Sequence, residues 1–139
     1  MAQAPLPNGT GGYQLGDGNL NEATLLTQAA PATETASILL TTAELTNGLI
    51  LGSPGGTAAS YQLPTCANLD LDVSSAKVNS SFDFSVVNVD GTGTGVITLT
   101  TNTGWTLVGL MTIAATAGTA QMFRARKTGV GTWTLYRIA

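Results

Sequence analysis

The sequence predicts an all-β protein: a β-sandwich or jelly-roll-like protomer with one short helix and an extended N-terminal arm. Three observations carry this. Charged residues are only 9% of the 139 and hydrophobic residues 43%, with Thr, Gly, Ser and Asn supplying most of the rest. Thr and Val favour strands and Gly and Asn favour turns, whereas the helix-favouring Lys, Glu and Arg are scarce. Short apolar runs also recur with turn residues between them, the spacing of a two-sheet protein. The length fits one domain. Residues 1–35 read as an extended arm plus a first strand, and residues 36–139 as the β-sandwich.

The arm owes its character to Pro5 and Pro7, which oppose helix and central strand, and to the turn-forming Asn8-Gly9-Thr10-Gly11-Gly12 and Gly16-Asp17-Gly18-Asn19. Glu22–Gln28 is the predicted first strand, broken at Pro31, and Ser37–Thr41 the second. Thr42–Leu45 reads as one helical turn with Thr42 as its cap. Gly48 releases the chain into a strand at Leu49–Leu51, and Ala59–Leu63 follows after a Gly/Pro loop. Pro64 opens the predicted helix, Thr65 to Asp72, with Ala67 and Leu71 turned to the sheet at i, i+4 spacing.

The second half alternates clearly. Phe82, Phe84 and Val86 fall on one face of a strand over Ser81–Val89. Asp90-Gly91 begins a turn, and Gly95–Thr100 is expected to return as the hairpin partner. Trp105–Val108 and Met111–Ile113 are short strands around Gly109. Ala120–Lys127 and Thr132–Ile138 form a last hairpin through Thr128–Gly131.

Composition narrows the function. The net charge of −3 opposes nucleic-acid binding, which neutralises phosphates with Lys and Arg. All eight acids lie between Asp17 and Asp90, and four of the five bases between Arg124 and Arg137. With no His and the single Cys66, neither an internal disulfide nor the usual Cys/His zinc site is expected, and Cys66 reads as a small core residue. No apolar run approaches membrane-spanning length, and Met1–Pro7 lacks the basic and apolar regions of a secretory signal. An export-like composition without a signal is the expectation for a virion component, assembled inside a host.

No catalytic or cofactor site is expected. Gly91-Thr92-Gly93-Thr94-Gly95 is followed by a strand rather than by the helix a phosphate loop needs. Asp70, Asp72, Asp83 and Asp90 could in principle supply paired carboxylates or calcium ligands, but Asp70-Leu71-Asp72 lacks the dense oxygens of a calcium loop. Ser74, Ser75 and Lys77 lie in a loop without a strained elbow. The candidate contact residues are Arg124, Arg126, Lys127 and Arg137, a basic strip on paired strands, and Trp105. Trp105 follows a turn and is expected to be the exposed aromatic, the one suited to an interface or a glycan platform.

From about residue 42 to the C-terminus the chain resembles a group of small phage structural proteins, the trimeric capsid decoration (cement) proteins and the head domains of some fibres. The residues carrying the likeness are Thr42–Ile50, Tyr61–Thr65, Ser81–Asn88, Gly104–Gly109, Phe123–Lys127 and Thr132–Tyr136. Their order is more specific than any one motif. Where such proteins carry Gly before the Ser-Phe strand, this chain has Asn79-Ser80. The resemblance implies a β-sandwich protomer, a homotrimer and attachment to the major capsid protein on the capsid surface, with receptor or glycan binding by a fibre or spike head as the alternative. It implies no catalytic residues and no cofactor.

Overall fold

The computed structural model describes residues 25–139. Ten strands and two helices follow in order: β1 (Ala32–Glu34), β2 (Ile38–Leu39), α1 (Thr42–Asn47), β3 (Leu49–Gly52), β4 (Ala59–Gln62), α2 (Cys66–Asp72), β5 (Ser81–Asn88), β6 (Ile97–Thr100), β7 (Trp105–Val108), β8 (Thr112–Ile113), β9 (Thr119–Gly129) and β10 (Thr132–Arg137). They build two mixed sheets, ordered β1-β3-β5-β9-β10-β7 and β2-β4-β6-β8. From β1 to β8 the chain alternates, each odd strand joining the first sheet and each even strand the second. Neighbours laid down by successive windings therefore run parallel: β1 with β3, β3 with β5, β2 with β4, β4 with β6.

The all-β expectation holds, with corrections of detail. The proposed hairpin of Ser81–Val89 with Gly95–Thr100 does not form. β5 pairs with β3 and β9, while β6 crosses to the other sheet beside β4 and β8. Both segments carry apolar residues at alternate positions, so alternation alone could not say which sheet each joins. The last hairpin does form, β9 against β10, antiparallel and with a register shift at Thr132/Trp133.

The arm's proposed course over residues 1–24 lies outside the described residues. Of the predicted first strand, Leu25–Gln28 are in no strand, and Leu25 and Leu26 are exposed. The first strand lies beyond Pro31 instead, where Ala32–Glu34 find a parallel partner in Ile50–Gly52.

There are two helices among the described residues rather than one. Thr41, not Thr42, caps α1. Its backbone is extended, its Oγ1 accepts from the Glu44 amide at 3.2 Å, and the Glu44 carboxylate accepts from the Thr41 amide at 2.7 Å, a reciprocal capping box. Thr42 is thereby the first helical residue and turns inward, its hydroxyl donating to Asp72. In α2 the cap is Thr65, and Cys66 and Leu69 face the core. Ala67 and Leu71 point to solvent, Leu71 being 76% exposed. Starting the helix at Cys66 puts residues 66, 69 and 70 on the inner stripe.

One buried cluster draws on both sheets: Ile50, Phe84, Val86, Phe123, Trp133 and Leu135 from the first, Tyr61, Ile97, Leu99 and Ile113 from the second. Phe82 meets Trp133 edge-on at 5.8 Å, and Phe84 stacks on Phe123 at 5.6 Å. Before β5, Asn79 adopts φ +76°, the only non-glycine residue with positive φ among those described. Asn tolerates this left-handed conformation better than most residues.

Candidate functional site

The basic strip divides in three dimensions. Residues opposite one another on paired strands share a face, so on the six-stranded sheet the side turned from the core carries four rows. Thr33, Leu51, Val87 and Ala120 form the first; Leu49, Ser85, Met122 and Ile138 the second; Asp83, Arg124, Tyr136 and Val108 the third; Ser81, Arg126, Thr134 and Thr106 the fourth. Arg124 and Arg126 thus stand on the outer face. Lys127 and Arg137 alternate to the other side, so the strip is not continuous.

Each of these four cations is engaged within the chain. Arg124 grips Asp83 in a fork, Nε to Oδ1 at 2.7 Å and Nη2 to Oδ2 at 2.9 Å, both side chains well exposed. The guanidinium holds the Asp83 carboxyl below the usual carboxylate range. Arg126 donates to the Tyr136 hydroxyl at 2.8 and 3.0 Å and to Asn79 at 2.8 Å, with its guanidinium carbon 5.7 Å from the Tyr136 ring centre. Arg137 reaches the Leu110 carbonyl at 3.4 Å. The sign asymmetry along the sequence is therefore partly cancelled in space, because β5 and β9 lie side by side.

Lys127 turns to α2 and meets Asp70 at 3.1 Å, with side-chain exposures of 12% and 16%. Asp70 also accepts from the Trp133 indole at 2.8 Å and the Gly131 amide at 2.6 Å. Burial raises its carboxyl, but these donors outweigh burial and hold it below the usual range. Asp70, read from sequence as a candidate for chemistry, is a tie between helix and hairpin. Asp90 is similar: it is 4% exposed and accepts from the amides of Thr92 and Gly56 at 3.1 and 2.7 Å. The Thr92 amide first, then the other donors, against burial, keep its carboxyl below the usual range. Its neighbour Asn88, fully buried, spans the Gly95 and Ala114 carbonyls at 2.8 and 2.9 Å.

Trp105 is not the exposed aromatic. It is 8% exposed, donates from its indole to the Pro64 carbonyl at 2.7 Å and lies 6.4 Å from Trp133. The turn before it delivers the ring inward, because β7 lies beside β10 with Trp105 opposite Trp133. A glycan platform built on Trp105 therefore loses its ring. Cys66 is buried, and burial foremost, with the Asp70 charge also raising it, pushes its thiol to about 11. Such a thiol stays protonated near neutral pH, unlike a reactive one.

An open cleft of about 310 Å³ lies where α1 and α2 begin, walled by Leu40, Pro64 and Leu71 among others. Its carboxylate, Asp72, already accepts from Thr42. Among the described residues no three His, Cys, Asp or Glu side chains gather in a metal-binding group, and no helix is long and apolar enough to cross a membrane.

One carboxyl pair escaped the sequence reading. Glu34, at the end of β1, hydrogen-bonds to Glu44 of α1. That bond, with burial and the Glu44 charge, pushes Glu34 up to about 7. Burial raises Glu44 too, but the Glu34 proton and the Thr41 donors outweigh it and keep Glu44 ionised. The two glutamates are ten residues apart, so no local spacing signals them. A folded-state pKa above the unfolded one stabilises the fold fully below about pH 4.5, and this contribution is lost as pH rises through 7. Glu34→Gln keeps a donor toward Glu44 at every pH. The variant is therefore expected to match the wild type near pH 4 and to exceed it above pH 7. Because solvent screens the pair, the slope should be a fraction of the limiting ~1.4 kcal/mol per pH unit. Urea melts of both proteins from pH 4 to 8 measure it, and parallel curves would refute the shared proton.

No protein-family model, curated protein or solved structure matches this chain.

Proposed function

We propose that the protein is a virion structural protein, an outer capsid decoration (cement) protein that binds the major capsid shell as a homotrimer and stabilises it by added contact area. In this reading the two sheets are the layers of a β-sandwich protomer, supported by the core they share. One observation carries the reading furthest. Asp70, Asp72, Asp83 and Asp90 are all engaged in contacts that tie the fold together, which leaves a charge-poor, threonine-rich and partly apolar surface. Such a chain is suited to making contacts rather than running acid–base chemistry, and the resemblance over residues 42–139 points to the same class.

The N-terminal residues are proposed as a clamp on the shell, since their Pro/Gly-rich sequence has little with which to build a core of its own. Deleting residues 1–20 is expected to weaken attachment to undecorated capsids at least tenfold while leaving the folded protein's mass per assembly unchanged. Co-sedimentation of full-length and truncated protein with stripped particles reads this. Equal binding by both would remove the clamp, and no binding by the full-length protein would remove the decoration function.

A further inference from the structure

We infer that residues 28–39 form a strap over the edge of β3, held shut by a proton that Glu34 shares with Glu44 and released when both carboxylates are ionised. This device goes beyond the capsid reading and does not depend on what the protein binds. None of residues 25–39 is buried, so the segment owes little of its hold to a core. Polar contacts fix it instead. Ala32–Glu34 pair in parallel with Ile50–Gly52. The Glu34 carbonyl accepts from the Ser53 amide at 2.8 Å and from the Tyr61 hydroxyl at 2.9 Å. Gln28 donates to the Asn47 carbonyl at 3.0 Å, and the Ser37 hydroxyl accepts from the Ser60 amide at 2.9 Å. A segment with few buried apolar contacts and exposed backbone bonds is the kind that opens locally while the rest stays folded. Under it lies β3, which reads Leu49-Ile50-Leu51. With the strap released, β3 becomes the sheet's edge, a template for pairing with another chain.

The Glu34 side chain closes the strap onto α1. The titratable groups that face it are Glu44 from α1 and Tyr61 from β4, while its ladder partner β3 carries none. Glu44 is not free to swing away, because one of its oxygens accepts from the Thr41 amide at 2.7 Å and from the Thr41 hydroxyl at 3.1 Å. Two carboxylates in contact cannot both ionise at low cost. The Tyr61 hydroxyl keeps its proton, since burial first and then the Glu34 charge push it to about 12. It therefore donates to the Glu34 carbonyl throughout the range in which the glutamates titrate. Glu34 titrates at about 7 in the closed strap and returns toward 4.5 when released. The shared proton thus favours the closed form fully below about pH 4.5, and that contribution is lost as pH rises through 7. The strap closes in acid and loosens toward neutral pH.

Hydrogen exchange on the full chain tests this, with each amide's rate divided by its rate in an unstructured peptide at the same pH. The Ser53 amide is the reporter, because its acceptor, the Glu34 carbonyl, belongs to the strap. In the wild type its protection is expected to lie well below that of the β9 amides and to respond little to sub-denaturing urea, as a local opening requires. That protection should fall about tenfold or more between pH 4.5 and pH 7.5 and level off above. Glu34→Gln, which keeps a donor toward Glu44, should hold it at the acid level throughout. Three results would overturn the inference. Protection that does not change with pH would mean that Glu34 turns to solvent with the strap shut. Exchange with the protection and urea response of β9 would mean that the segment opens only with the whole fold. An equal loss in Glu34→Gln would assign the response to another group.

Discussion

Asp70→Ala is expected to lower the unfolding free energy by about 3–4 kcal/mol, the range for breaking a largely buried ion pair. The carboxylate satisfies three donors from two elements: the Lys127 ammonium, the Trp133 indole and the Gly131 amide. Alanine leaves all three behind. Lys127 would keep its charge at 12% side-chain exposure, and the indole sits on a residue 1% exposed. Unpaired buried donors cost more than their bonds contributed. Since a domain of this kind is stable by only about 5–15 kcal/mol, the loss is a large share of the total. Asp70→Asn, which can still accept from one donor, should lose about half as much. The pH dependence supplies a second check. A lowered carboxyl stabilises the fold above its unfolded value near 4, and that stabilisation fades as pH falls below it. Urea titrations at pH 7 and pH 3 should show the wild type losing its advantage over Asp70→Asn in acid. A loss below about 1 kcal/mol at pH 7 would mean the tie is not needed.

Gly104→Ala should cost about as much by a different route. Gly104 has φ +96°, a left-handed conformation that disfavours any side chain by roughly 1–2 kcal/mol. A Cβ there would also press on the Gly131 carbonyl oxygen, with the Cys66 Cβ at 2.6 Å. Backbone cannot yield as a side-chain tip can, and overpacking adds about 1–3 kcal/mol. Gly118→Ala separates the two effects. Gly118 has φ +82° with nothing within 4 Å of the added carbon. Thermal melts should place Gly104→Ala about 10 °C below the wild type and Gly118→Ala only a few degrees below. Equal shifts would mean that conformational strain, not the close approach, sets the cost.

Much of the fold was legible in the sequence because local chemistry dictated it. Pro64-Thr65 announced the second helix, and the Phe82/Phe84/Val86 alternation gave β5 its inner face. The β9–β10 hairpin followed from two apolar runs joined by a glycine-rich turn. Pairing was not legible, because β5 and β6 alternate alike and only the sheet each joins tells them apart. The phase of α2 was missed by one residue, so Cys66 and Leu69 rather than Ala67 and Leu71 face the core. Trp105 was misplaced because a ring after a turn can face either way. Its direction was fixed by β10, a parallel partner nearly thirty residues distant. The Glu34–Glu44 pair and the divided basic strip likewise arise only once strands from distant segments are neighbours.

The alternation of strands between the two sheets also bears on synthesis. β9 joins β5 to β10 in the middle of the larger sheet, and β9 and β10 follow all the other strands in the chain. The larger sheet therefore cannot close until the segment from Thr119 to Arg137 has been made. Until then β5 lacks its antiparallel neighbour, and the apolar rows on β3 and β5 are open to any passing chain. The segment that finishes the sheet is also the one that brings Met122 and Arg124 to the outer face.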